Sequence, residues 1–119
     1  MRSVKQAVVS SLKGYAPLTA MVDDRIYHAM PPEEITLPCI TYKQVSGTGD
    51  NADDRPLVAR CRIQVDIRAR VGVDEIADLT ISAMGNIHGA VTLVNEVDMF
   101  DYNHMCPVHV CDFMVVAKI

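Results

Sequence analysis

The sequence predicts an α+β fold: an antiparallel sheet of about four strands with two helices packed on one face. Three observations lead there. Two segments repeat apolar residues at helical spacing, residues 58–70 alternate apolar and polar without a break, and the elements run helix, strand, strand, helix, strand, strand. With 119 residues, half of them hydrophobic, the chain reads as a single domain over 1–119. A core of this size needs neither disulfides nor a structural metal.

Val4, Ala7, Val8, Ser11, Leu12 and Tyr15 share one face of a first helix, with Arg2, Lys5, Gln6 and Lys13 elsewhere on the wheel. Gly14 and Pro17 punctuate its end, and Pro17 can open a short second helical turn through Met21, closed by Asp23-Asp24. The segment from Ile26 to Leu37 holds Pro31, Pro32, Glu33 and Glu34 and reads mainly as loop, although Ile26 and Tyr27 can pair briefly as a strand. Cys39 to Val45 is rich in β-branched and aromatic residues and reads as a strand, followed by a long polar hairpin loop from Ser46 to Pro56.

The strongest pattern lies in residues 58–70. Ala59, Cys61, Ile63, Val65, Ile67 and Ala69 alternate with Arg60, Arg62, Gln64, Asp66, Arg68 and Arg70, as in a half-buried antiparallel strand. After Gly72, the residues Val73, Ile76, Ala77, Thr80, Ile81, Met84 and Ile87 define the second main helix, with Asp74 and Glu75 well placed in its first turn. Gly85 weakens its end and Gly89 stops it. Val91 to Phe100 and Val108 to Ile119 complete the sheet, joined by Asp101 to Pro107.

Composition excludes several classes of function. The apolar content excludes intrinsic disorder, charges interrupt every window long enough for a membrane span, and the apolar run at Ala7 to Val9 is too short for a secretory signal. A soluble protein made in the cytoplasm is expected. The net charge of -4 argues against a dedicated nucleic-acid binder. That average conceals a gradient. Residues 1–70 hold ten basic and eight acidic side chains, net +2, whereas residues 71–119 hold Lys118 against seven acids, net -6. Opposite halves serve either internal complementarity or contact between copies of the chain.

No catalytic constellation is assembled. The chain has no Gly-x-Ser-x-Gly elbow and no glycine-rich turn leading into a helix. His104, Cys106, His109 and Cys111 form the only cluster of metal-ligand types, but it lacks the turn-forming C-x-x-C knuckle of zinc sites. Four reduced thiols packed as small hydrophobes are expected instead, with no cofactor. Asp50, Asp53 and Asp54 share one loop without the spacing of a calcium site. The four arginines between 58 and 70 lack interleaved aromatic residues for stacking bases, so they read as a salt-bridged sheet face or a subunit contact, with Glu96 and Asp98 as acids across the sheet.

Several phrases resemble a known family. Asp24-Arg25-Ile26-Tyr27, Leu37-Pro38-Cys39-Ile40-Thr41-Tyr42, Val45-Ser46-Gly47 and Arg60-Cys61-Arg62-Ile63-Gln64-Val65-Asp66-Ile67 look like the tail-completion or tail-terminator proteins of long-tailed phages and prophages. The phrases span roughly residues 10–88, and Arg68 stands where relatives often carry an aromatic. The resemblance implies a non-enzymatic virion protein, assembled in the host cytoplasm, that forms a ring with copies of itself, commonly a hexamer. Such a ring caps the tail tube protein, meets a head-completion or connector protein and lets genomic DNA pass without sequence-specific binding or any membrane contact. Arg60, Arg62, Arg68, Arg70, Glu96 and Asp98 are then candidate subunit-interface residues, and Asp50, Asn51, Asp53, Asp54 and Arg55 a candidate partner-contact loop. A head-completion role in the same connector, or a small regulatory or metal-binding domain, are the alternatives.

Overall fold

The computed structural model describes residues 2–50 and 58–118. Among them are helices α1 (Arg2–Lys13), α2 (Ala16–Val22) and α3 (Val73–Met84), and strands β1 (Ile26–His28), β2 (Cys39–Asp50), β3 (Val58–Arg68), β4 (Ala90–Asp101) and β5 (Cys106–Lys118). The strands form one sheet in the order β1-β2-β3-β5-β4. The α+β class holds, with corrections. There are three helices rather than two, and five strands in a mixed sheet, because β1 runs parallel to β2 while every other pair is antiparallel.

The physical reasons are local. Pro17 sits in the first turn of α2, where its missing N–H costs nothing, and Leu18 and Val22, one turn apart, are buried, so the second turn becomes a helix of its own. Arg25 explains why the short β1 finds a place beside β2. Its backbone carbonyl accepts the N–H of Ile40 at 2.9 Å and its Nε donates to the carbonyl of Pro38 at 2.9 Å, which sets Ile26 opposite Ile40. The two phrases around Asp24-Arg25-Ile26-Tyr27 and Leu37-Pro38-Cys39 thus meet in space.

The expected loop from Ser46 is also shorter. β2 continues through Asp50 and pairs with β3 as far as Val58, with a bulge between Gln44 and Ser46. Gly47 lies opposite Cys61, and a Cβ there would displace the flexible end of Gln44, whose Nε2 is 2.5 Å away, and press on the Cys61 sulfur at 3.3 Å, so the residue that reads as a loop signal is closely packed within a strand. Residues 51–57, including Asn51, Asp53, Asp54 and Arg55, lie outside the described residues, and Asp50 ends β2.

β3 has neighbours on both sides and carries the alternation the sequence predicts. Cys61, Ile63, Val65, Ile67 and, just past the strand, Ala69 are buried against the helices, while Arg62, Gln64, Asp66 and Arg68 stay partly exposed on the other face. α1 contributes Val4, Val8 and Leu12 to the same core, α3 contributes Ile76, Ala77, Thr80, Ala83 and Met84, and β5 contributes Cys111, Phe113 and Val115. Between β3 and α3, Gly72 takes a left-handed conformation at φ 75°, an inexpensive choice only for glycine.

Substituting Val65→Asp should place an unpaired charge in this core. The expected loss is about 4 kcal/mol or more, read as the absence of a cooperative thermal transition in circular dichroism. A folded Val65→Asp protein would mean that the two faces of β3 are reversed.

Candidate functional site

Two features of the sheet carry chemistry: the open face, which no helix among the described residues covers, and the outer strand β4. On the open face, the β3 ladder is largely engaged within the subunit. Arg68 Nε donates to Asp101 Oδ2 at 2.8 Å and its Nη1 donates to Thr41 Oγ1 at 3.0 Å. Arg62 pairs with Asp112 at 3.5 Å, while its Nε is buried without a hydrogen-bond partner among the described residues. Arg70, beyond the end of β3, donates to the carbonyl of Met105 at 3.0 Å. Arg60 lies exposed at the far end, opposite Thr48 on one side and Val116 on the other.

Glu96 and Asp98 are not the acids opposite the ladder. β5 stands between β3 and β4, and a bulge at Val94 changes the phase of β4 between Leu93 and Asn95. Val91 and Leu93 face the helices, but after one extra residue Glu96 and Asp98 face them too, opposite Cys111 and His109. The ladder's acids are Asp112 and Asp101, from β5 and the end of β4. The same shift turns Val97 and Met99 to the open face, opposite Val110 and Val108, where they are 41% and 59% exposed. The open face is therefore divided, polar and basic over β2 and β3, apolar over β4 and β5. A groove of about 330 Å³ runs along the boundary, lined by Lys43, Gln64, Arg68, Met99, Val108 and Val110 among others.

The turn after β4 is held by one carboxylate. Asp101 accepts the backbone N–H groups of Asn103 and His104 at 2.9 and 3.1 Å, the ring Nδ1–H of His104 at 2.7 Å and the Arg68 guanidinium. Burial opposes its ionisation, but the hydrogen bonds from Arg68 and His104 and the two backbone donors outweigh it and hold the carboxyl well below the usual range. An Asp at a turn start is readable from sequence, whereas its bond to Arg68, 33 residues earlier, is not.

On the helix side of the hairpin, His109 is clamped between two carboxylates. Its Nδ1 lies 2.7 Å from Asp98 Oδ1 and its Nε2 lies 2.9 Å from Glu96 Oε1. Burial disfavours the imidazolium, but the two carboxylates raise its pKa above the ordinary value. The Cys111 thiol is pushed up to about 12, first by burial and then by Glu96 and nearby Asp carboxylates. Of the four-residue cluster singled out in the sequence, only His109 and Cys111 share this side. Cys106 has the opposite parity along an unbroken strand and His104 bonds Asp101 at the turn. All four cysteines are buried free thiols.

Comparison with known proteins now decides the family. The model of the family described as "Tail completion protein gp17" matches residues 6–115. The chain belongs to the tail completion protein gp17 family. A chain in the solved structure "Virion of native gene transfer agent (GTA) particle" superposes with a TM-score of 0.64 at 14% identity, covering 96% of this chain and 93% of that one, a likeness of fold. No curated protein sequence matches. The family supports the role of a structural tail-completion component of the virion.

The Asp101 network sets an acid limit on stability. Because its folded pKa is depressed, its contribution is present above the unfolded value near 4 and is lost as pH falls below that toward the folded value. Asp101→Asn should lower stability at pH 7 by about 2–4 kcal/mol and flatten the loss between pH 5 and pH 2 in thermal unfolding. An unchanged acid profile would place the titration elsewhere.

Proposed function

We propose that this tail-completion protein is a tail terminator: copies close head to tail into a ring, six in the usual arrangement of such proteins, which caps the finished tail tube and presents a surface to the head connector. Genomic DNA passes through the ring, and the protein performs no catalysis. The observation that carries this reading is β4. It is a 12-residue strand with one backbone edge unpaired among the described residues, and it carries the exposed apolar residues Val94, Val97, Met99 and Phe100. A long, apolar edge is a liability in a free monomer and a contact surface in an assembly.

The opposite edge is the three-residue β1. Two unlike edges favour contact between different patches of neighbouring subunits, and a contact of that kind closes into a ring when its rotation permits. The opposite net charges of the chain's two parts, +2 and -6, favour the same pairing. The arginine ladder contributes less than its count suggests. Arg62 and Arg68 are paired within the subunit, so the ladder's positive charge is partly neutralised before any partner or DNA approaches.

Electron microscopy of tails assembled with and without the protein tests the role. Tubes of uncontrolled length in its absence are expected, whereas tubes of normal, fixed length lacking only heads would favour the head-completion role in the same connector. The surface is tested by Val97→Asp combined with Met99→Asp. Both positions are exposed, so monomer stability should change by no more than about 0.5 kcal/mol per site, while capped tails disappear from the micrographs. Capping at wild-type levels by this variant would remove β4 from the interface.

A further inference from the structure

The helix-facing side of the β4–β5 hairpin holds a donor set outside the apolar surface proposed for assembly. Glu96 lies opposite Cys111 and Asp98 opposite His109, and His109 and Cys111, two apart on β5, point to the same side. One ligand atom each from Glu96, His109 and Cys111 lies within 4.8 Å of the others. We propose that Glu96, His109 and Cys111 form a binding site for a divalent transition metal of the zinc type, with Asp98 as the residue that orients the imidazole.

The geometry supports this at three points. A tetrahedral ion with bonds of about 2.0–2.3 Å separates its ligand atoms by roughly 3.3–3.7 Å, so the observed spread closes with small rotamer changes, and Glu96, 41% exposed at its side chain, is free to make them. The 2.7 Å contact between Asp98 and Nδ1 is the second arrangement a ligating histidine needs. A carboxylate accepting the Nδ1–H fixes the ring, so that Nε2, on the side of Glu96, is the nitrogen that gives up its proton to ligate. Finally, the donors are one sulfur, one nitrogen and one oxygen, a set suited to zinc or cobalt and unsuited to magnesium or calcium, which take oxygen ligands.

The exchange is balanced. With both ring nitrogens facing carboxylates, the imidazole carries two N–H groups, and the thiol carries its own proton. The metal displaces the Nε2 proton and the thiol proton, so a charge of +2 replaces two protons and the net charge of the site does not change. Three protein ligands leave a fourth position for water. Bound there, the ion ties β4 to β5 two residues beyond the bulge at Val94, in the phase that turns Val97 and Met99 outward. Metal binding itself is independent of any role in ring formation.

The test titrates the purified, reduced full-length protein with Zn2+ by calorimetry and with Co2+ by absorption. One equivalent should bind, with a thiolate-to-cobalt charge-transfer band in the near ultraviolet. Cys111→Ser should abolish that band and Cys39→Ser should leave it. Asp98→Asn should weaken binding about 10–100-fold with the band retained. Since Cys111 is buried, Glu96→Gln on the exposed side gives a second reading, with an expected weakening of at least about tenfold. Absence of saturable Zn2+ binding by the folded protein, a band that survives Cys111→Ser, or unchanged affinity in Glu96→Gln would each overturn the site.

Discussion

Every side chain in the sheet takes its face from β3. This strand is hydrogen-bonded on both sides, to β2 and to β5, and Cys61, Ile63, Val65 and Ile67 are fully buried under the helices. With a side-chain period of two, this single commitment propagates outward through the registers. Ile40 and Tyr42 face the core because they lie opposite Ile67 and Val65, and Phe113 and Cys111 do so because they lie opposite Ile63 and Val65. The propagation stops where a strand gains a residue. Both bulges, at Val45 in β2 and Val94 in β4, lie outside β3, and the open face acquires its character there.

This distinction also explains how much of the molecule was legible in its sequence. The faces of β3, the apolar stripe Val4, Val8 and Leu12 and the body of α3 follow from periodicity, because each burial decision is made by neighbours along the chain. β1 was only half legible, since three residues hold their place through the Arg25 contacts to Pro38 and Ile40 rather than through any pattern of their own. The extension of β2 through Gly47 and Gly49 runs against local preference and rests on pairing with β3. The phrases that carry the family resemblance around Arg25 and Pro38 are the two halves of this one contact.

The candidate site was legible in part. Cys111 and His109 stand out as a same-side pair in an extended segment, and the arginines stand out by their count. Their partners do not. Without the bulge, Glu96 and Asp98 fall on the ladder's side of the sheet and Val97 and Met99 fall in the core, the simplest reading of β4 as a regular strand. With it, acids occupy a partly covered site beside a histidine, and apolar residues face outward. Arg68 and Asp101 are likewise joined only by the sheet order, which brings the start of the β4–β5 turn near the end of β3.

The bulge at Val94 has a consequence for how this surface tolerates change. A substitution along β4 changes one side chain at a time and leaves its neighbours where they were. Loss of the single codon for Val94 would remove only the extra residue and leave Asn95 to Asp101 opposite the partners they have now, with Val97 and Met99 still on the open face and Glu96 and Asp98 still on the helix side. A related chain without the bulge is therefore matched in this segment only with a one-residue gap at Val94, since an ungapped match pairs residues on opposite sides of the sheet even where their identities agree.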